Sequence, residues 1–355
     1  MLILNNGQLK QFYQKCQKDK IIAIDTEFHR VHTYYPKLCL LQLANTSQSI
    51  ILDPLNEPLN LNFLNEILFD SNIKKIFHAA SQDIEILFNI FDKVPKNIID
   101  TQIYLMPLGY SNSTSYFNAC LDFLKIKLSK DNQFIDWRIR PLSQEKIKYA
   151  LNDVKYLIPL YEKIIKKLKK LNRVLWAKEM HEKIFNKENY SSKASRAWEK
   201  IKFNPKNQYE LGLLKEISCL REQVAMKKNI PAKKVLDNKH LIKICKTEHN
   251  INQKTRILDK IVEKKFRVKI IKIIQSYDKK KQNRLIDGTL NNKQKKNLKI
   301  AKELLDKKCK LLNIHPSLIA NKIELKKIIL GDKNIIKDWK FEIFSKEYIQ
   351  IQKLI

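Results

Sequence analysis

The chain has 355 residues, of which 44% are hydrophobic and 9% aromatic, and its formal net charge is +32. This length and composition are typical of a globular protein with two or three domains and exclude a mainly disordered chain. So large a positive charge indicates a polyanionic partner, although a coding bias toward lysine would explain part of the excess.

The first half of the chain alternates short apolar runs with segments of helical periodicity. We predict strands over 21–25, 38–44, 48–52 and 75–78, and helices over 59–69, 81–91, 115–125 and 144–171. The first three strands lie close enough in sequence to form an antiparallel meander, so the sheet is expected to be mixed. Residues 1–172 are therefore predicted to form one α/β domain.

The strand pattern ends near residue 173, and the rest of the chain predicts helices. Residues 173–207 are predicted to be a helical linker, because they are rich in polar residues and contain the helix breaker Pro205. Residues 208–288 and 289–355 are predicted to be two similar helical modules. In each of them an Asn-Ile-Pro or Asn-Ile-His-Pro step follows a long helix.

The positive charge is concentrated in the second half. Residues 1–170 hold 23 Lys or Arg against 17 Asp or Glu, whereas residues 171–355 hold 46 against 20. A uniform coding bias does not explain this asymmetry, so we predict that the second half binds phosphate groups. Truncation near residue 205 should then weaken nucleic-acid binding and flatten its salt dependence.

Several classes of protein are excluded. With five glycines in the chain there is no glycine-rich phosphate loop, which argues against a P-loop or dinucleotide site. The six cysteines are scattered without a C-x-x-C pair, so reduced thiols are expected rather than a zinc site. No signal peptide and no apolar stretch of about 18 residues is present, so a cytoplasmic location is expected.

Asp25 and Glu27 are the first candidate catalytic residues. They lie two positions apart at the end of an apolar strand, where period-2 alternation directs both carboxylates to one face. Adjacent like charges repel, and a cation between them would remove that cost. The alternative is an ordinary surface strand, in which such a pair recurs by chance.

Two further segments add polar residues. Asp83 lies in the first turn of a helix with Ser81 as candidate N-cap, where an acid is also favourable for the helix dipole alone. Tyr149 and Asp153 lie four apart and share one helix face, although a packed tyrosine and a solvated aspartate would give the same pattern. His78 lies at the end of a predicted strand, where it could be a metal ligand, a base or a packed, hydrogen-bonded residue.

The three segments together indicate a metal site. Four carboxylates are hard oxygen ligands, and they suit Mg²⁺ or Mn²⁺ better than zinc. Such a cluster is what two-metal phosphodiester hydrolysis requires.

DTEFHRVHTYYPKLCLLQLA, HAASQDIEIL and YALNDVKYLIPLY resemble the three exonuclease motifs of the ribonuclease D family, in the DEDDy group of DnaQ-like exonucleases. The resemblance covers about residues 1–170 and includes the DW…RPLS stretch over 136–143. It implies a mixed-sheet exonuclease domain of the RNase H-like fold followed by all-α HRDC modules. LREQVAMKKNIPAKKVLDNKHLIKIC resembles the first module, and CKLLNIHPSLIANKIELKKIIL resembles the second.

The resemblance also implies an activity and roles for residues. The family removes 5′-mononucleotides from RNA 3′ ends, including those of tRNA precursors and other small structured RNAs. Two Mg²⁺ or Mn²⁺ ions would be held by the four carboxylates, with Asp25 bridging them, while Tyr149 orients the attacking water. The expected RNA contacts are Phe28, Arg30, Tyr34, Tyr35 and His78, and a structural role is an equal alternative for the two tyrosines.

The sequence departs from the family pattern at two places. Lys125 stands where glycine is common, and the second module lacks the expected aromatic-rich ends. HRDC modules bind nucleic acid, which agrees with the charge of the second half. Two alternatives stay open, namely a DNA-directed 3′→5′ exonuclease and a catalytically inactive RNA-binding scaffold.

Overall fold

A computed structural model describes residues 6–58, 61–128, 136–191, 194–246, 250–259, 264–277 and 290–355. Its sheet has five strands in the order β3-β2-β1-β4-β5. Strands β1 to β3 pair antiparallel, and β4 and β5 run parallel to β1, which confirms the predicted mixed sheet. The strands are β1 Ile21–His29, β2 Lys37–Ala44, β3 Ser49–Leu52, β4 Lys74–Phe77 and β5 Ile98–Asp100.

Eight helices accompany this sheet in the part of the chain described up to residue 187. They are α1 Asn6–Asp19, α2 Leu61–Phe69, α3 Ser81–Phe91, α4 Thr101–Leu105, α5 Tyr116–Leu124, α6 Gln144–Lys155, α7 Leu157–Lys170 and α8 Val174–Ile184.

The sequence did not predict α1 or β5, and it predicted α6 and α7 as a single helix. The helix breaks at Tyr156 because the ring of Pro159 would clash with the carbonyl of Lys155 in a continuous helix. Leu59 and Asn60, at the start of the first predicted helix (59–69), lie outside the described residues.

The chain divides into two compact units. The first contains Met1–His29, Lys37–Lys187 and Leu290–Ile355, and the second contains Arg30–Pro36 and Glu188–Thr289. In the first unit, α5 and α7 bury apolar side chains against one face of the sheet, around Ala23, Ile76 and Ile164. The domain boundaries predicted at 172, 207 and 288 stay predictions.

The C-terminal helices of the first unit are α15 Asn292–Leu312, α16 Lys322–Ile329 and α17 Asp338–Gln352. They share a hydrophobic core with the rest of that unit. The rings of Trp176 and Trp339 stack with centroids 4.7 Å apart and planes 14° apart. Arg173 donates to the carbonyl oxygens of Pro107 at 2.8 Å and Leu312 at 2.9 Å. Residues 290–355 are thus packed directly onto the residues that follow the sheet.

The second unit is helical where it is described. Its helices are α9 Glu188–Ser191, α10 Gln208–Lys228, α11 Ala232–Val235, α12 Asn238–Cys245, α13 Ile251–Asp259 and α14 Lys264–Ser276. Asn229 ends α10 in the left-handed conformation, as Asn313 ends α15. Asparagine tolerates this conformation well, so the repeated Asn-Ile step marks the end of a 21-residue helix in both places.

All six cysteines are free, as the sequence predicted. Within the described ranges, no helix combines the length and apolar character needed to cross a membrane.

Candidate active site

Asp25 and Glu27 lie near the end of β1 on the face that α6 covers. Each is partly buried, and both follow the buried apolar residues Ile21–Ile24 along the strand. A register shift follows Glu27, where Cys39 of β2 is the extra residue between the pairs Glu27–Leu40 and Phe28–Leu38. One carboxylate oxygen from each of Asp25, Glu27 and Asp153 lies within 4.8 Å of the other two. Three acids from one strand and one helix are thus brought together.

Asp83 reaches the same end of the sheet from α3. It is buried, and its carboxylate accepts a hydrogen bond from the hydroxyl of Thr26, which lies between Asp25 and Glu27. This bond ties the first turn of α3 to β1. Burial, then the charges of Asp25 and Asp153, and last that of Asp83 raise the pKa of Glu27, which agrees with Asp83 lying near the other acids.

Asp100, rather than the predicted cap Ser81, fixes the start of α3. Its buried carboxylate accepts from the backbone N–H of Ala79 and of Ala80, each at 2.9 Å. Ala80 precedes α3 without a side-chain cap, and Ala79 has a positive φ of 61°. The turn that presents Asp83 is therefore held by an acid from β5.

Tyr149 and Asp153 lie one turn apart on α6. The hydroxyl of Ser143 caps this helix by accepting from the N–H of Lys146. The Tyr149 ring is half-buried and lies 6.1 Å from that of Trp137, centroid to centroid. Burial, and then the charge of Asp153, raises the pKa of the Tyr149 phenol, so the hydroxyl keeps its proton at neutral pH.

The electrostatics of the four acids favour a bound cation. Burial and the neighbouring carboxylates raise the pKa of Glu27 to about 10, and burial raises that of Asp153 to about 7. Burial, followed by the nearest carboxylate, also raises the pKa of Asp25 and Asp83 well above the usual range. In the described part of the chain, no basic side chain offsets these shifts. The donor set thus fits a hard divalent cation, which would supply the missing positive charge.

These shifts predict how stability depends on pH. Because the folded pKa values lie above the unfolded ones, the folded protein binds more protons, and metal-free stability falls as pH rises through about 7. A divalent ion removes this cost. We expect Mn²⁺ to raise the melting temperature by several degrees more at pH 8 than at pH 6. For a protein of this size, each kcal/mol of stabilisation raises the melting temperature by about 2–4 °C. Thermal unfolding with and without EDTA measures it, and an equal gain at both pH values would count against the repulsion.

The residues predicted to contact RNA are divided between the two units. Phe28, in the first unit, is partly buried on β1, whereas Arg30, where the second unit begins, is exposed. Both ring nitrogens of His78 are within 2.9 Å of protein oxygens, namely the Thr101 hydroxyl and the Thr114 carbonyl. Burial lowers the pKa of His78. The imidazole of His78 is therefore held in place by hydrogen bonds at both of its nitrogens.

Tyr34 and Tyr35 belong to the second unit. The buried Tyr34 donates from its hydroxyl to Glu222 on α10 at 2.6 Å. The backbone N–H groups of both tyrosines donate to the side-chain oxygen of Asn229, each at 3.1 Å. Their rings meet edge to face at 4.9 Å. These contacts give Tyr34 a packing role, the alternative that the sequence left open, and leave Tyr35 partly exposed.

Sequence reasoning missed an ion pair between Arg140 and Asp53. Arg140 grips the carboxylate of Asp53 through two hydrogen bonds of 2.6 Å, and it also donates to the carbonyl oxygens of Trp137 and Cys39. The Asp53 side chain is 4% exposed. This bidentate pair fastens the segment that carries Trp137 to β2 and β3. The DW…RPLS motif holds the arginine, but its partner lies 87 residues earlier.

Loss of this ion pair should destabilise the first unit. In Arg140→Met the buried Asp53 loses its partner, which costs about 3–5 kcal/mol. The matched control is Arg138→Met, because the pair of Arg138 with Asp136 is solvent-exposed and adds little to stability. Urea unfolding compares the two, and equal losses would contradict the assignment.

Comparison with known proteins gives consistent matches. Residues 2–169 match a family of 3′-5′ exonuclease domains. A ribonuclease D of Sphingobium indicum is 35% identical over 245 residues, which cover 69% of this chain and 63% of that protein. A ribonuclease D of Bartonella henselae is 30% identical over 372 residues, with 99% of this chain and 90% of that protein covered. The crystal structure of Escherichia coli RNase D, at 22% identity, superposes with a TM-score of 0.81 over 99% of this chain and 98% of that one, and so shares the fold.

Proposed function

Because the chain belongs to the ribonuclease D family and is a 3′→5′ exoribonuclease, we propose that it trims the 3′ ends of tRNA precursors and other small structured RNAs with two Mg²⁺ or Mn²⁺ ions. The observation that carries the metal proposal is the approach of three carboxylates to within 4.8 Å at the end of β1. Location in the cytoplasm stays a prediction from the sequence.

Four acids would hold the ions. Asp25, Glu27 and Asp153 each offer an oxygen within 4.8 Å of the other two, and Asp83 would add a fourth carboxylate from α3. One Asp83 oxygen accepts from Thr26, which leaves the other oxygen available as a ligand. Bound at these acids, the two ions would supply activation of the attacking water and stabilisation of the leaving oxygen.

Tyr149 supports the same step from α6. Its hydroxyl keeps its proton, because burial and Asp153 raise its pKa, and it is half-buried beside the acids. A protonated phenol can donate a hydrogen bond to the water or to the scissile phosphate and so orient the attack. The ring of Trp137, in the segment fastened by the Arg140–Asp53 pair, lies 6.1 Å from the tyrosine ring.

The second unit and the C-terminal helices are proposed to be HRDC modules that contact RNA. Two observations support this proposal. Residues 171–355 contain 46 basic and 20 acidic residues, and their described elements are helices. The proposed boundaries are 208–288 and 289–355, with 173–207 as the linker.

The choice between RNA and DNA is tested by the sugar at the 3′ end. We expect an oligonucleotide ending in ribose to be shortened at least about tenfold faster than the same sequence ending in deoxyribose. Equal rates would favour a DNA-directed 3′→5′ exonuclease. No shortening of either, by a protein that still binds RNA, would favour an inactive scaffold.

A further inference from the structure

Gln42 on β2 is an unusual buried side chain. It is 0% exposed, and neither its amide nitrogen nor its amide oxygen has a hydrogen-bond partner in the described part of the chain. A buried amide group without a partner destabilises the folded state, because it has lost its hydrogen bonds to water. A hydrophobic side chain of the same size would avoid this cost, so the position calls for an explanation beyond packing.

Of the two sheet residues directly opposite Gln42, one is polar. Antiparallel pairing places Gln42 directly opposite Asp25 on β1 and opposite Ile51 on β3. Along β2 itself, the positions on the same face are Leu40 and Ala44. Directly opposed residues have Cβ atoms about 4.5–5.5 Å apart, which is within reach of a glutamine side chain.

The helix above this face, α6, buries apolar side chains against it, and its polar residues Tyr149 and Asp153 belong to the acid site already described. The buried side chains of α6 are Ile147, Ala150 and Val154, and none of them can satisfy an amide. α6 packs on β1, β2 and β3, so it closes the space over Gln42. The amide is therefore enclosed between hydrocarbon and the acid cluster that contains Asp25.

We infer that Gln42 is a positioning residue for the metal centre, whose amide N–H donates to the Asp25 carboxylate once divalent ions are bound. The inference rests on the proposed metal site. A ligating carboxylate usually carries a second hydrogen bond that fixes its orientation, and Asp25 has no other donor side chain opposite it in the strand register. The Gln42 amide would thus gain its hydrogen-bond partner when metal ions are bound.

Metal binding without RNA tests this role. Gln42→Met keeps the length of the side chain and removes both polar atoms, and Leu40→Met on the same strand and face is the matched control. Titration calorimetry with Mn²⁺ and thermal unfolding in EDTA are measured on the full chain. We expect Gln42→Met to weaken Mn²⁺ binding by at least about tenfold while its melting temperature in EDTA stays equal to wild type or rises. Leu40→Met should bind Mn²⁺ as wild type does.

Other outcomes overturn the inference in distinct ways. Mn²⁺ affinity within twofold of wild type in Gln42→Met would show that the amide does not serve the metal. A wild-type protein that binds no Mn²⁺ would overturn the proposed site itself. If Gln42→Met does not fold, wild-type protein with ¹⁵N-labelled glutamine side chains replaces it: one buried amide pair should shift on adding Mg²⁺, and an unshifted set would contradict the role.

Discussion

Replacing Asp25 by asparagine is expected to abolish hydrolysis, with a fall in kcat on the order of 10³-fold or more. A carboxylate oxygen of Asp25 lies within 4.8 Å of oxygens of Glu27 and Asp153. Asparagine at position 25 therefore removes one negative charge from the proposed metal ligands. Metal ions contribute several kcal/mol to transition-state stabilisation, and about 1.4 kcal/mol corresponds to a tenfold change in rate. Single-turnover shortening of a labelled RNA with a 3′ extension measures the effect.

A matched control separates catalysis from general charge. Asp92→Asn removes the same charge from an exposed site where the chain has a left-handed conformation that suits asparagine, so activity should stay at the wild-type level. In EDTA, Asp25→Asn should melt at a higher temperature than wild type, because one buried repulsive carboxylate is gone. RNA binding should be retained. An Asp25→Asn variant with more than a tenth of wild-type activity would contradict the proposed role.

Deletion of residues 290–355 is expected to unfold the nuclease unit or lower its melting temperature by more than 10 °C. These residues bury Met106 and stack Trp339 on Trp176, so deletion opens the core of the unit that holds the acids. Loss of a single buried Trp costs about 3–5 kcal/mol. Circular dichroism melts of the deletion variant measure the effect.

A point variant checks the same claim without removing chain. Trp339→Ala should lower the melting temperature strongly, whereas Phe341→Ala, two residues on and 44% exposed, should change it little. Equal effects would mean that the tryptophan stack adds nothing to stability. The truncation near residue 205 suggested by the charge pattern removes these helices too, so it would confound RNA binding with folding. Substitutions within the second unit, such as Lys233→Gln, avoid that problem.

The sequence predicted those parts of the fold that have a local signal. The apolar run before Asp25 identified β1, and helical spacing placed Tyr149 and Asp153 on one face. β5 was missed because three residues, Ile98–Asp100, carry too short a pattern. The split between α6 and α7 had a signal in Pro159, which the periodicity outweighed.

Long-range partners could not be predicted from local patterns. Tyr34 looked like an RNA contact from its place in the motif, but it meets Glu222 from 188 positions away. Asp100 holds the turn before Asp83 from 20 positions away, and only the sheet order brings them together. Gln42 has no local sequence signal that marks it as functional, and only the strand register places it opposite Asp25.

The products of the reaction distinguish metal-dependent 3′→5′ exonucleolytic hydrolysis from other kinds of RNA cleavage. RNA labelled at its 5′ end is incubated with the full chain and Mg²⁺ or Mn²⁺, and both the shortened RNA and the released nucleotides are identified. The proposed mechanism predicts a ladder shortened one nucleotide at a time from the 3′ end, with release of 5′-mononucleotides and no products in EDTA. Internal fragments, 3′-phosphate or cyclic-phosphate products, or equal activity in EDTA would contradict metal-dependent 3′→5′ exonucleolytic hydrolysis.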